Sequence, residues 1–260
     1  MNGLGTAALV CCLALFGGTA EAGKWQWELT PYIWGSAVDL DVKVDNNPAF
    51  GGNASFSELV DKLEGAFSVH FEGRGNRVGF LVDVLYISLA DNATLGAGNP
   101  VGLPPDSTVQ IGFDETVLEG AGFYRLVRRD AGGLDLLFGL RVLDIDQSFE
   151  FFDPMGNPID TVASSPSYTD GLLGLRYLGS FGKRWGYNLR ADYAGGDTEG
   201  GINLAAGLKY GFGKTGRYAL AFGARHMEIV IEETADGVKT ETEIGMTGPY
   251  VAFVFRFGGS

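Results

Sequence analysis

Apolar residues alternate with polar or small residues along almost the whole chain after Trp25, with a period of two. The closing stretch "PYVAFVFRFGGS" shows the pattern. Alternation of this kind places apolar side chains on one face of an extended strand. The pattern therefore predicts antiparallel strands from Trp25 to the C-terminal end, and we count ten. In the last one the apolar face consists of Val251, Phe253, Phe255 and Phe257.

The breaks between the alternating runs are short and long by turns. Four short breaks, "RGNR", "RRDAGG", "GKR" and "GKTG", alternate with generally longer ones, about residues 35–64, 91–106 and 153–166 and the pieces "GGDTEGG" and "ADG". Outer-membrane barrels have short periplasmic turns, longer outside loops and an even number of strands. The sequence predicts an all-β fold: a single antiparallel up-and-down transmembrane β-barrel of about ten strands, with eight or twelve as alternatives, and both chain ends in the periplasm.

Two features of the segment 35–64 depart from simple alternation. After Gly35 the run "AVDLDVKV" places its apolar residues on the opposite parity from the strand before it, which we interpret as a register switch at a bulge or bend. Further on, "SFSELVDKLEG" has apolar residues at helical spacing, and Ser55 and Glu58 have the spacing of a capping box. One short amphipathic helix is expected in this outside loop, packed over the barrel mouth.

The second face of the strands indicates which side of the barrel is apolar. It carries small residues and isolated charges, as in Asn203, Ala205, Gly207 and Lys209. A face in water usually carries long polar side chains, whereas the inside of a narrow barrel requires small residues and paired charges. The apolar face also ends in Trp and Tyr residues, which concentrate where hydrocarbon meets lipid headgroups. We therefore expect the apolar face to contact lipid and Arg256 to point into the lumen.

Inward charges are the most informative candidate constellation. A charge in a narrow barrel must be paired or hydrated, because unpaired burial is costly. We expect ion pairs that fix the strand register and fill the lumen, with the lining of a narrow selective pore as the alternative. Arg141 and Arg176 are expected to meet Glu119, Asp83 or Asp192. The predicted network comprises Glu72, Asp83, Glu119, Arg141, Arg176, Arg190, Asp192, Arg225 and Arg256, with Arg125, Asp135, Asp170 and Lys209 as further inward charges.

The first residues are typical of an export signal. An apolar run from Leu4 to Phe16 is followed by "AEA" at 20–22, the small-x-small pattern of a cleavage site, which predicts a signal peptide at 1–22 and a barrel domain at 23–260. Cys11 and Cys12 both lie in the signal, so the mature chain would contain no disulfide. After cleavage 19 basic residues would remain against 31 acidic ones, a net charge of −12. No basic stripe is present to bind nucleic acid.

Few residues are candidates for chemistry. The only histidines are His70 and His226, and neither lies in an acid-rich or serine motif, so we expect hydrogen-bonded lumen or rim histidines. No His/Asp/Glu spacing suits a structural metal site, and "DLDVKVDNN" lacks the glycine and terminal glutamate of a calcium loop. We therefore predict no catalytic residue, no metal site and no cofactor.

The order of several short pieces resembles a known family. The pieces are "WELTPYIW", "FSELVDKL", "HFEGRGNRVGFLVDVLY", "GLLGLRY", "WGYNLRADYAGG", "LAAGLKYGFG", "LAFGARHMEI" and "GPYVAFVFRF". They are similar to a widespread, largely uncharacterised family of small bacterial outer-membrane β-barrels, broadly of the OmpA and OmpW type, over essentially the whole mature chain. Such families usually stop on the terminal aromatic residue, which resembles the signal read by the barrel assembly machinery. Here Gly258, Gly259 and Ser260 follow Phe257.

These observations predict a non-enzymatic outer-membrane barrel with a charged, largely filled lumen and a structural, narrow-channel or surface-binding role. It would be exported through the periplasm to the bacterial outer membrane. The expected partners are outer-membrane lipid, lipopolysaccharide and the barrel assembly machinery, and a small solute is a further candidate. Two alternatives remain open: an outer-membrane hydrolase of the protease or lipase type, and a secreted, soluble lipocalin-like binding barrel.

Overall fold

The computed structural model describes residues 25–97, 102–129, 131–213, 216–235 and 237–258. The predicted signal peptide, residues 1–22, lies outside the described residues. The described chain forms thirteen strands and one short helix. In chain order these are β1 (Gln26–Trp34), β2 (Ala37–Val44), β3 (Asn47–Ala54), α1 (Phe56–Val60), β4 (Leu63–Arg74), β5 (Val78–Thr94), β6 (Thr108–Arg129), β7 (Gly132–Phe152), β8 (Pro158–Ser164), β9 (Ser167–Phe181), β10 (Trp185–Gly196), β11 (Gly200–Phe212), β12 (Tyr218–Ala235) and β13 (Val238–Gly258).

Ten of these strands close into an antiparallel barrel. The order around the ring is β1, β4, β5, β6, β7, β9, β10, β11, β12 and β13, and β1 pairs with both β4 and β13. Closure gives each strand of the ring a neighbour on both edges, which a sheet in lipid requires because hydrocarbon satisfies no backbone hydrogen bonds. The expected ten-stranded up-and-down barrel is confirmed. Among the described residues, no helix is long and apolar enough to cross a membrane.

Four short turns lie at the end of the barrel where β1 begins and β13 ends. They connect β4 to β5, β6 to β7, β9 to β10 and β11 to β12. Gly182 in the β9–β10 turn has a φ of 63°, a conformation that favours glycine. The opposite end holds the long connections from β1 to β4, from β5 to β6 and from β7 to β9, together with two short ones, from β10 to β11 and from β12 to β13. We assign the tight-turn end to the periplasm, following the usual arrangement of outer-membrane barrels.

Three further strands lie in segments that the sequence pattern assigned to outside loops. β2 and β3 form a hairpin that pairs with the outer part of β13, and β8 pairs with the outer part of β7. The loop interpretation of 35–64 and 153–166 was therefore wrong in part. The reason is that β6, β7 and β13 extend over 21 to 22 residues, and their outer halves offer free backbone edges. A strand tilted across a bilayer needs only about 9–11 residues.

The helix forms where the spacing predicts it, but it does not cover the barrel mouth. Ser55 Oγ accepts from the backbone N–H of Glu58 at 3.4 Å, and the Ser55 N–H donates to Glu58 Oε2 at 2.8 Å, which completes the capping box. Phe56 and Val60 remain about half exposed, and no residue of the helix is buried. At five residues α1 presents too small an apolar face to pack over the mouth.

β2 continues β1 without a change of register, so the bulge expected after Gly35 is absent. Trp34 lies opposite Tyr250 of β13, and Ala37 lies opposite Thr247 of the same strand. Ala37 lies three residues after Trp34, and Thr247 lies three residues before Tyr250. The antiparallel register is therefore the same on both sides of residues 35–36. The strand is interrupted at residues 35–36, but the chain keeps its inward and outward parity across them.

The apolar residues change parity here because the surroundings of the wall change. Ile33, the last outward apolar residue of β1, is 70% exposed, whereas Val38 on β2 packs against a buried cluster inside the barrel. The same change occurs on β12 near His226: Phe222 faces outward below it and Met227 is fully buried above it. Pairing of β12 with β13 is unbroken across this point. A wall that is apolar outside below and apolar inside above passes from lipid into water.

The interior of the outer half is therefore packed like that of a soluble barrel. Its cluster draws on β1, β6, β7, β12 and β13 and is supported by partly buried Tyr, Phe, Leu, Val and Ile side chains from neighbouring strands. The buried members are Trp34, Val117, Leu143, Ile145, Met227, Ile229, Ile231 and Met246, which we call the apolar plug. The plug occupies the lumen on the outer side of the inward charges.

Two outward positions test where lipid ends. Leu175 lies in the apolar band of β9, and Asp144 lies above the parity change on β7. Leu175→Arg should lower the free energy of unfolding by about 2–4 kcal/mol, the cost of a charge near the bilayer midplane. Asp144→Arg should change it by less than about 0.5 kcal/mol, as for exposed positions in water. Urea titration in phosphatidylcholine vesicles, followed by tryptophan fluorescence, measures both; equal effects would contradict the boundary.

Candidate functional site in the barrel lumen

The centre of the lumen holds two arginines and two carboxylates in direct contact. Arg141 Nη2 donates to Glu119 Oε1 at 2.6 Å and to Asp192 Oδ1 at 2.7 Å. Arg190 donates to the same acids, from Nη2 to Glu119 Oε2 at 2.8 Å and from Nε to Asp192 Oδ2 at 2.6 Å. Glu119 is fully buried and Arg141 is 2% exposed. Each arginine meets both acids, so the charges compensate one another where water is scarce.

Strand order and one glycine make this cluster possible. Glu119 on β6 lies directly opposite Arg141 on β7. Asp192, on β10, is one strand further away, beyond β9. Its neighbour on β9 is Gly174, where an added Cβ would lie 2.4 Å from the Cβ of Asp192. Because Gly174 has no side chain, the side chain of Asp192 can pack over β9 and accept a hydrogen bond from Arg141.

Arg176 belongs to a second cluster nearer the periplasm. It donates from Nη1 to Glu72 Oε2 at 2.7 Å and from Nη2 to Asp135 Oδ2 at 3.1 Å. Arg74 and Arg125 complete the cluster, at 2.6 Å from Glu72 and 2.7 Å from Asp135. Arg176 also contacts an aromatic ring: its guanidinium carbon lies 4.6 Å from the ring centre of Phe123.

The expected acid partners were right for Arg141 and wrong for Arg176. Arg141 meets Glu119 and Asp192 as predicted. Arg176 meets neither of them, nor Asp83, because it lies lower in the barrel, directly opposite Asp135 on β7. Alternation fixed the inward direction of each arginine, but the height at which it meets an acid depends on strand stagger.

A third group connects the charges to the apolar plug. Arg225 Nε donates to Asn203 Oδ1 at 2.8 Å, and its guanidinium lies 3.6 Å from Asp83 and 3.7 Å from Glu119. Its guanidinium carbon is 5.0 Å from the ring centre of Trp34, a member of the plug. Tyr32 donates to Asp83 Oδ1 at 2.8 Å. This group is thus the layer at which polar packing gives way to apolar packing.

Arg256, the last of the nine predicted residues, lies apart from the other eight. It donates from Nε to Glu28 Oε2 at 3.0 Å, and Lys209 Nζ lies 3.0 Å from the other oxygen of Glu28. Lys209 reaches Glu28 from β11 across the lumen, past the small inward residues of β12 and β13. The other eight predicted residues are brought together in the two clusters and the Arg225 group.

The sequence pattern missed several members of the network. Glu28 and Tyr32 take the inward positions of β1, between its outward Trp27, Leu29 and Ile33, and alternation alone could have found them. Arg74 follows the inward Glu72 by two positions and was overlooked at the strand end. Glu115 is a different case: it is buried, its Oε1 has no hydrogen-bond partner, and it lies at the edge of the apolar plug.

The two histidines occupy different surroundings. His70 faces the lumen, with Nδ1 3.1 Å from Asp83 Oδ2 and Nε2 3.6 Å from Glu72 Oε2. His226 points outward at the parity change, with Nδ1 2.7 Å from Thr247 Oγ1. Within the described part of the chain, no group of His, Cys, Asp and Glu side chains has an arrangement that could hold a metal ion.

The lumen contains a cavity of about 480 Å³ that extends inward from the tight-turn end, beside the charge clusters, as far as Arg190 and Arg225. Residues of the β9–β10 turn, Lys183 and Arg184, line it together with Arg256 and Glu28 near the two chain ends, so it opens toward the periplasm. Its inner end is formed by His70, Asp83, Arg190 and Arg225. We call this space the periplasmic cavity. The charges and then the apolar plug separate it from the outer end of the barrel.

Comparison with known proteins gives similarity in architecture only. No protein-family model and no curated protein matches the chain. Among solved structures, the translocator domain of the autotransporter NalP from Neisseria meningitidis is 14% identical, covers 97% of both chains and has a TM-score of 0.41. Ail, the attachment invasion locus protein of Yersinia pestis, and the Ralstonia pickettii toluene transporter TbuX are each 11% identical with a TM-score of 0.35, covering 90% of this chain and 99% and 90% of theirs. These are outer-membrane β-barrels, and no function follows from similarities this low.

The double contact of Arg176 predicts a measurable cost for its removal. Arg176→Leu should lower the free energy of unfolding by about 3 kcal/mol, the low end of the range for breaking a buried pair, since Glu72 and Asp135 each keep a second cation. Adding Glu72→Gln should cost less than the sum of the two single changes, because the pair is then removed together. Urea unfolding of the single and double variants in vesicles measures this coupling. Strict additivity would show that Arg176 and Glu72 do not interact.

Proposed function

We propose that this protein is a closed, non-catalytic outer-membrane barrel that presents its extended outer walls to the cell exterior and does not act as a diffusion channel. The observation that carries the proposal is the double obstruction of the lumen. The central charges cross-link β6, β7 and β10 through the interior, and the apolar plug fills the space beyond them. A solute would have to break buried ion pairs and then displace packed aliphatic and aromatic side chains.

The outer walls support a surface role. β5, β6, β7, β12 and β13 are 17 to 22 residues long, and their outer halves, with the β2–β3 hairpin and β8, stand beyond the lipid boundary. The basic residues on these described extensions are Lys43, Lys62 and Lys239, and each lies in an ion pair, with Glu241, Asp91 and Glu232. Acidic residues dominate the rest of the wall. Such a surface favours a cationic partner and repels nucleic acid.

The proposed partners below this wall follow from the outward apolar band. Exposed aromatic and aliphatic side chains on β9, β10, β12 and β13 suit outer-membrane lipid and the acyl chains of lipopolysaccharide. The terminal strand β13, with its outward Phe257, suits recognition by the barrel assembly machinery after export through the periplasm. A soluble lipocalin-like barrel would turn this band inward, so the exposed side chains weigh against that alternative.

The surroundings of His70 support a non-catalytic role. Both ring nitrogens face carboxylate oxygens, which accept hydrogen bonds and donate none when ionised. An imidazole with Nδ1 hydrogen-bonded to one carboxylate and Nε2 facing a second carboxylate has no ring nitrogen directed at a nucleophile. His70 therefore suits an ion pair between Asp83 and Glu72 better than the general base of a hydrolase.

Conductance measurement tests closure directly. The mature chain, folded in detergent and inserted into planar lipid bilayers, should give no large, steady current and at most brief, small openings. Liposomes that contain it should remain impermeable to sugars in a swelling assay. A general porin of known conductance is the positive control, and heat-modifiable migration on gels shows that the barrel is folded. A stable porin-like current with sugar passage would overturn the proposal.

Substitution of the histidines tests the absence of catalysis. His70→Asn and His226→Asn should leave any hydrolysis of a chromogenic ester or a fluorogenic peptide at the level of the unsubstituted protein and of empty detergent micelles. His226→Asn is the matched control for His70→Asn, because His226 lies outside the lumen and contacts Thr247. Activity that is present in the unsubstituted protein, survives in His226→Asn and disappears in folded His70→Asn would instead support a hydrolase.

A further inference from the structure

The periplasmic cavity has the size and shape of a binding site. Its volume of about 480 Å³ lies within the roughly 300–1,000 Å³ of small-molecule sites. It is open at the turn between β9 and β10 and closed at its inner end by the charge clusters. A space that opens toward the periplasm and ends inward at ion pairs suits binding better than passage.

Cations outnumber carboxylates around the periplasmic part of this cavity. Glu28 is shared by Lys209 and Arg256, and Glu72 is shared by Arg74 and Arg176. The mouth adds Lys183 and Arg184, both exposed. A guanidinium has five N–H donors and an ammonium has three, so the cations that share Glu28 or Glu72 keep donors that these carboxylates do not use. The cavity therefore has a local excess of positive charge, although the net charge of the whole chain is −13.

We propose that the periplasmic cavity binds a phosphate-bearing anion, from either a soluble phosphate ester or the headgroup of an inner-leaflet phospholipid. Phosphate oxygens accept charge-assisted hydrogen bonds from several directions, which suits donors placed on β4, β11, β13 and the β9–β10 turn. The wall between them includes Ala205, Ala221, Ala252 and Val254, which leave space for the carbon part of the ligand.

Glu28 is the internal competitor of such a ligand. Its two carboxylate oxygens form ion pairs with Lys209 and Arg256, and its side chain is partly exposed to the cavity. An arriving anion gains the attraction of both cations and suffers the repulsion of Glu28. Removal of the Glu28 charge should therefore tighten anion binding, although it removes a native ion pair.

The test is calorimetric titration of glycerol 3-phosphate into the folded mature chain in a non-ionic detergent, with glycerol as the uncharged control. We expect saturable binding of one molecule per chain that weakens with added sodium chloride. Glu28→Gln should tighten binding by roughly fivefold, and Lys183→Gln with Arg184→Gln should weaken it by roughly tenfold, as expected for charges near an anion at a solvated mouth. Heat-modifiable gel migration verifies that each variant is folded.

A matched pair on another periplasmic turn separates a site from general attraction. Arg128→Gln with Arg129→Gln removes the same charge from the same end of the barrel, but neither residue lines the cavity. This pair should leave the affinity within about twofold, since neither side chain contacts the cavity and exposed charges are screened by salt. Equal weakening by the two pairs would show that the rim attracts anions without a site and would overturn the proposal.

Mixed micelles identify the source of the phosphate. Displacement of glycerol 3-phosphate by phosphatidylglycerol, but not by phosphatidylcholine at the same concentration, would assign the cavity to an anionic lipid headgroup. Binding of glycerol 3-phosphate that phosphatidylglycerol does not disturb would assign it to a soluble periplasmic anion. Binding of neither ligand to the folded chain, or no tightening in Glu28→Gln, would overturn the proposal.

Discussion

The structure depends on one constraint: a charge inside a barrel surrounded by lipid has no bulk water to solvate it and must meet an opposite charge. Glu119, Arg141, Arg190 and Asp192 satisfy this constraint across three strands that are not all neighbours. A slip of any of these strands by one residue would turn its charged side chain toward hydrocarbon and leave its partners unpaired. The ion pairs therefore specify the register of the wall as well as filling the lumen, even if their net contribution to stability is small.

The same chain solves two different packing problems along its length. In the membrane the wall is apolar outside and its inside carries ion-paired charges beside a small apolar cluster around Leu81, Phe123 and Leu137, whereas beyond the membrane the wall is polar outside and apolar inside. The strands pass from one arrangement to the other without changing register, as the pairing of β12 with β13 shows. Hydrophobic side chains follow the solvent, and the backbone does not need to change for them to do so.

That distinction explains what the sequence could and could not predict. Alternation, turn lengths and the aromatic face were sufficient to predict ten strands and a closed ring. They also predicted that Arg141, Arg176 and Arg256 point inward. The parity change after Gly35 was read as a bulge because alternation records which residues are apolar and does not record what lies outside them. Leu175→Arg and Asp144→Arg separate these two meanings experimentally. The identity of each ion-pair partner also required the stagger between strands, which is why Glu72 and Asp135, rather than Glu119 or Asp192, proved to hold Arg176.

Folding separates the basic residues from most of the acidic residues. A net charge of −13 describes a uniformly acidic protein, yet the described basic residues other than Lys43, Lys62 and Lys239 point into the lumen or lie at the periplasmic end. Residues far apart in the sequence, such as Arg74, Lys183, Lys209 and Arg256, are gathered by barrel closure into one space, while most acids remain on the outer walls. No stretch of sequence is basic enough to reveal this, because the wall brings together one or two cations from each of several strands and turns. The electrostatic field at each end of the barrel is thus a product of topology, and the average charge of the chain predicts neither end.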